Sequence, residues 1–171
     1  WGFENEADPN VMERKIDAAV SHGVNVFIYD WYWYKGRTFL EGGLRDGFLR
    51  AKNNGSMQFF LMWANHDFTD ICNNKVSRKK DRVRFRGAVS PDEFRVLSKR
   101  AIDMFFSRPN YYRIGGKPVF MIYEVGTFVK GMGGIKKAAA VLRRFNEDCV
   151  KAGLGGVHIM ACSWRQCEPR H

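Results

Sequence analysis

The chain has 171 residues, of which 45% are hydrophobic, 15% aromatic and 27% charged, and 28 basic against 18 acidic side chains leave a net charge of +10. That balance excludes an intrinsically disordered chain, and apolar runs as short as 59–64 exclude a membrane-spanning helix, which needs roughly 20 apolar residues. The positive excess makes an anionic partner worth testing.

The first predicted helix opens at Asp8 and Pro9, an N-cap followed by proline at the first helical position. Val11, Met12, Ile16, Ala19 and Val20 recur on one face until His22 and Gly23 stop it. An apolar run at 24–29 then reads as a strand buried on both faces. A second helix, with weaker caps, is predicted over 44–52 ahead of the Asn53, Asn54, Gly55 turn, and a second strand over 58–63. Ser90, Pro91 and Glu93 form a capping box, after which Phe94, Leu97, Ala101, Met104 and Phe105 line one face of a third helix. A third strand is expected over 118–123. The fourth helix, over 135–151, turns Ile135, Ala138, Val141, Leu142, Phe145 and Cys149 inward and ends at Gly153, and a fourth strand follows over 157–162.

This alternation implies an α/β fold with parallel strands joined by right-handed crossovers, either an open doubly wound sheet or a (β/α)8 barrel. Gly115 and Gly116 precede a strand, and Gly131, Gly133 and Gly134 lead into a helix without the spacing of a phosphate loop, so nucleotide binding loses its usual support. Four cysteines, Cys72, Cys149, Cys162 and Cys167, lack CxxC spacing, which argues against zinc, and Cys149 and Cys162 read as small buried thiols. No cofactor or metal is expected.

Polar and aromatic groups follow each strand: Asp30, Trp31, Tyr32, Trp33 and Tyr34; then Asn65, His66 and Asp67; then Glu124; then Ser163 and Trp164. The C-terminal ends of barrel strands are where such enzymes keep their site. Glycan handling asks for flat aromatic faces against sugar C–H groups and for carboxylates or amides against hydroxyls, and glycosidic hydrolysis asks further for paired carboxyl groups. Asp30, Asp67 and Glu124 are the candidate catalytic acids, and Trp31, Tyr32, Trp63, Asn65, His66, Tyr123 and Trp164 the candidate substrate-binding residues. Plainer roles stand beside these: Asp30 capping a turn, Asp67 in an Asx-turn, Glu124 pairing an arginine, His66 in a structural hydrogen bond. Period two sends half of the aromatic string at 29–34 into the core.

The loop at 75–86 holds seven basic residues against Asp81, six of the ten net positive charges. Such runs are usually solvated; as a binding element it suits a phosphorylated, sulfated or uronic glycan better than nucleic acid, since Phe85 is its only aromatic residue. Neither Ser56 nor Ser163 has the nucleophile-elbow setting of a serine hydrolase.

Three blocks stand in order: Tyr29-Asp30-Trp31-Tyr32-Trp33-Tyr34 with Leu40-Glu41; Met62-Trp63-Ala64-Asn65-His66-Asp67; and Gly116-Lys117-Pro118-Val119-Phe120-Met121-Ile122-Tyr123-Glu124. Together they resemble the glycoside hydrolase family 99-like domains of bacterial polysaccharide-associated proteins. The resemblance implies a (β/α)8 barrel acting on glycans, the family 99 enzymes being endo-acting, configuration-retaining α-mannosidases that need no redox cofactor. Their paired glutamates lie in an N-E-W-x-E type segment, and nothing after Tyr123 has that form. The expectation is therefore a single partial barrel of about four βα units over 1–171, an internal piece of a longer catalytic domain. It should carry the binding aromatics without the main acid pair, and tend to self-associate through its unpaired edges. The compartment is not indicated.

Overall fold

The structure, a computed structural model, describes residues 2–69 and 82–162. Its first helix, α1 (Pro9–Ser21), is capped by the Asp8 carboxylate, which accepts from the Asn10 amide, and it buries Val11, Met12 and Ile16. Val20, expected inward, lies beyond the buried stripe at 42% exposure. Strand β1 (Val26–Tyr34) runs five residues past the predicted end, through the whole aromatic string, and turns back as β2 (Arg37–Phe39) in an antiparallel hairpin.

The helix expected over 44–52 is replaced by a π turn (Gly43–Gly47) and a 3-10 turn (Phe48–Arg50). Gly47 explains the departure: a β-carbon there would stand 1.9 Å from the Glu6 carbonyl oxygen, so the chain is wound to fit against the segment before α1. Strand β3 (Gln58–Trp63) follows, then the short strands β4 (Phe68–Thr69) and β5 (Val83–Phe85), paired antiparallel. Helix α2 (Pro91–Ala101) starts at Ser90, whose hydroxyl accepts from the Glu93 amide, and continues into a π turn (Ile102–Phe106).

Strand β6 (Arg113–Ile114) forms a hairpin with β7 (Lys117–Ile122). Next comes a helix that the sequence reading missed, α3 (Val125–Met132), ending at Gly133 in the left-handed region. Helix α4 (Ile135–Lys151) has the predicted bounds and buries Ala138, Phe145 and Cys149, but Ile135 sits at its first position, 77% exposed. Strand β8 (His158–Ala161) is the last described element, and Cys162 lies one residue beyond it, half-buried instead of inside the strand. Burial, aided by the Asp148 charge, pushes the Cys149 thiol up to about 12.

The main sheet places β1, β3, β7 and β8 side by side and all parallel. Their spatial order is their chain order, without the reversal that marks a doubly wound sheet. The fold is thus α/β with a partial-barrel sheet. One face carries the helices and the core, with Tyr29 against Phe48, Trp31 against Phe105, Trp63 against Phe94 and Phe128, and Phe120 against Phe145. On the other face the register aligns Asp30, Met62, Met121 and Met160 in one row. Part of that face is open, with Ile28 exposed to 55%, while Phe60 and Val119 beside it are buried. No helix among the described residues is long and apolar enough to cross a membrane.

Candidate active site at the strand ends

The ladder continues beyond the strands, since Ala64 N–H donates to the Trp31 carbonyl, Tyr123 N–H to that of Trp63, and Cys162 N–H to that of Ile122. Two residues above the Asp30 row, the same face therefore presents Tyr32, Ala64, Tyr123 and Cys162. The small side chain of Ala64 leaves space between the two tyrosines, and the His66 ring takes it. It lies edge-on to Tyr32 at 5.9 Å and to Tyr123 at 5.7 Å between ring centroids.

Burial first, and then the charge and hydrogen bond of Asp30, raise the Tyr32 phenol above its ordinary range. The phenol thus stays protonated beside the Asp30 carboxylate. Tyr34, buried between hairpins, is pushed up to about 12 by burial, Tyr32 and Asp67, and its hydroxyl donates to the His66 carbonyl at 3.0 Å.

Asn65 is almost wholly buried and holds two strand ends together. Its side-chain amide donates to the Glu124 carbonyl and its Oδ1 accepts from the Glu124 amide, both at 2.7 Å. The substrate role expected of Asn65 is thereby taken up by positioning Glu124. The Glu124 carboxylate accepts from Thr127 Oγ1 at 2.6 Å, not from an arginine. A cleft of about 590 Å³ opens beside it, lined by His66, Asp67, Arg86, Glu124, Thr127 and Lys130.

Both oxygens of Asp67 are engaged, Oδ1 by the Gly87 amide at 2.9 Å and Oδ2 by Arg86 at 2.7 Å. The residue closes the base of the β4–β5 hairpin, and this occupancy leaves it a clamp, not a free acid. Burial alone would raise its pKa, but the Gly87 amide and the Arg86 guanidinium hold the carboxyl below the usual carboxylate range. A folded-state pKa below the unfolded one means that the clamp is fully effective above the unfolded value and is lost as pH falls through the folded one. Amide protection factors in β4 and β5 should therefore fall more than those in β3 as pH drops from about 5 to about 2, and Asp67→Asn should remove that difference. An unaltered acid response in Asp67→Asn would show that another group opens the hairpin.

The tryptophans depart from expectation. Trp31 and Trp63 are 1% and 0% exposed and belong to the core, so neither offers a sugar-stacking face. Trp31 Nε1 donates to Glu41 and Trp33 Nε1 to Glu93, tying β1 to the loop after β2 and to α2. Trp164, Ser163, Cys72, Cys167 and positions 75–81 of the basic loop lie outside the described residues. Among the described residues, Tyr32 and Tyr123 offer flat faces on the open side. Thr127 and Lys130 were missed because α3 was; Arg86 was visible only as one charge in a run.

Residues 1–170 match the model of the family described as Glycosyltransferase WbsX. Over 158 residues the chain is 22% identical to the protein WxcX from two strains of Xanthomonas campestris pv. campestris, a match covering 92% of this chain and 21% of the relative. The chain thus spans about a fifth of the length of the curated relatives it matches. Among solved structures, the GH99 endo-alpha-mannosidase from Bacteroides thetaiotaomicron superposes with a TM-score of 0.50 at 16% identity, over 95% of this chain and 40% of that one. At that identity the likeness is one of fold, and it agrees with the family 99-like partial barrel expected from the three sequence blocks.

Proposed function

This chain belongs to the family described as Glycosyltransferase WbsX, and on that premise we propose that it supplies part of the site of a glycan-active protein, one that breaks glycosidic bonds in a polysaccharide or oligosaccharide by carboxylate acid/base chemistry. The observation that carries this reading is that the His66 ring, beyond the end of β3, stands between Tyr32 and Tyr123 and shares a cleft with Glu124, with Asp30 one row below Tyr32 on the same face. Tyr32 and Tyr123 would cover sugar C–H faces, while Asp30 and Glu124 would meet hydroxyls and the charge that develops at the anomeric carbon. Arg86 and Lys130 at the cleft wall suit glycans with anionic substituents. The family's name speaks of transfer and the solved relative's of α-mannoside hydrolysis; the two chemistries differ in whether a sugar hydroxyl or water accepts the glycosyl group. The paired acids of a family 99-type mechanism would come from the remaining length of a protein of the relatives' size.

The test is to incubate the complete protein with α-mannan and with bacterial polysaccharides and to measure new reducing ends, with a nucleotide sugar added in parallel to detect chain extension. Glu124→Gln and Asp30→Asn should each lower turnover by roughly 10²-fold or more. A glycan bound but unchanged after long incubation would replace the enzymatic reading with that of a recognition module. Binding and turnover both unchanged in the two variants would remove the site from these strand ends.

A further inference from the structure

His66 is held from four directions. Its carbonyl accepts from the Tyr34 hydroxyl, and its peptide lies so close to Gly87 that a β-carbon there would stand 2.4 Å from the His66 oxygen. Its ring is bracketed edge-on by Tyr32 and Tyr123. Its Nδ1 lies 3.0 Å from the backbone carbonyl oxygen of Asp67. The last contact decides the protonation pattern: a carbonyl oxygen only accepts, so Nδ1 must carry the hydrogen, and in the neutral ring the lone pair is then on Nε2. Restraint of this kind on a half-buried residue at a strand exit costs conformational entropy, which a merely space-filling residue has no need to lose.

We infer that His66 is fixed as the Nδ1–H tautomer so that Nε2 accepts the hydrogen of a glycan hydroxyl, making His66 a specificity-determining contact that demands a hydroxyl donor at that position of the sugar. The inference rests on the glycan reading above and adds to it the direction of the hydrogen bond. Asp67 enters here as a positioning residue through its backbone carbonyl.

The ring nitrogens give a readout independent of turnover. In the complete protein labelled with ¹⁵N-histidine, with His66→Asn supplying the assignment, the neutral His66 ring should show a protonated Nδ1 and an unprotonated Nε2. An asparagine amide reaches about as far as Nδ1 and a glutamine amide about as far as Nε2. His66→Gln, which can offer an oxygen near the Nε2 position, should therefore keep α-mannan or polysaccharide binding within a few-fold, while His66→Asn should weaken it roughly tenfold or more. An Nε2–H spectrum with glycan binding intact overturns the inference and leaves the functional reading standing, as does equal binding by the two variants. An Nδ1–H spectrum in a protein that binds none of the glycans overturns the functional reading, and the hydroxyl assignment falls with it.

Discussion

Replacing Glu41 by alanine should destabilise the fold by about 3–5 kcal/mol, the range for removing one partner of a buried ion pair. The Glu41 side chain is 3% exposed, and its carboxylate accepts from both Nε and Nη2 of Arg100 and from Trp31 Nε1 at 2.9 Å. Its removal orphans an indole N–H in the core and leaves the Arg100 guanidinium, 29% exposed, without its counter-charge. Partial solvent access to Arg100 favours the lower end of the range. Leu40, just before it, adopts φ 57°, a left-handed turn that sends Glu41 inward and leaves Leu40 itself 72% exposed. Glu41→Gln, which keeps an acceptor for Trp31 but not the charge, should fall between wild type and Glu41→Ala. The urea unfolding midpoint of the three proteins decides the matter; a shift equivalent to less than about 0.5 kcal/mol for Glu41→Ala would show that the network adds nothing net.

Gly87→Ala should have the largest effect on function. Its β-carbon would stand 2.4 Å from the carbonyl oxygens of both Asn65 and His66, so the segment must move. Those two residues carry the amide that positions Glu124 and the ring between the tyrosines. A displacement near 1 Å at a reacting centre costs roughly 10²-fold in rate, and a loss of that size in turnover is expected. Glycan affinity should weaken along with it, through His66. The control is Gly55→Ala, whose β-carbon meets nothing within 4 Å and which should leave both unchanged. Normal turnover in Gly87→Ala would mean that this segment does not shape the site.

What could be read in the sequence, and what could not, follows from the range of the forces involved. Caps are local: Asp8 with Pro9, and Ser90 with Pro91 and Glu93, mark the starts of α1 and α2 within a few residues, and both helices begin there. Helix α3 has no side-chain cap, and its Gly126 and Gly131 look like loop residues. Gly131 is needed because a β-carbon would stand 2.4 Å from the Val89 carbonyl oxygen, a tertiary contact with no local signature. Period two separates Trp31 and Trp33, buried on the helical side, from Tyr32, which faces the site, but Tyr29 packs with the tryptophans' side against Phe48 and Tyr34 is buried as well, and alternation alone does not say which set is which. Trp31 and Trp63 were given to the sugar for want of that information. That His66 and Glu124 lie at strand ends, where they line one cleft, was legible because the rule that barrel sites lie at strand C-termini needs only the strand positions. Asp67's clamp was not, as its partner Gly87 is 20 residues away.

The order of the parallel strands has a consequence for how the chain acquires its shape during synthesis. Because β1, β3, β7 and β8 lie in space as they lie in sequence, each strand emerging from a ribosome meets the free edge of the one made just before it, and none must wait for a later strand to fill a gap. Assembly can thus proceed vectorially, although the free edge of β3 must wait for β7, with Leu61 pairing to Phe120 across 59 positions, and parallel pairing at such separation is slow to form. Side-chain ties of the same range join β1 and the loop after β2 to α2, Trp33 to Glu93 across 60 positions and Glu41 to Arg100 across 59. Those ties form only once α2 has been made, so they act as a latch that secures the nascent sheet after its first two parallel strands are in place.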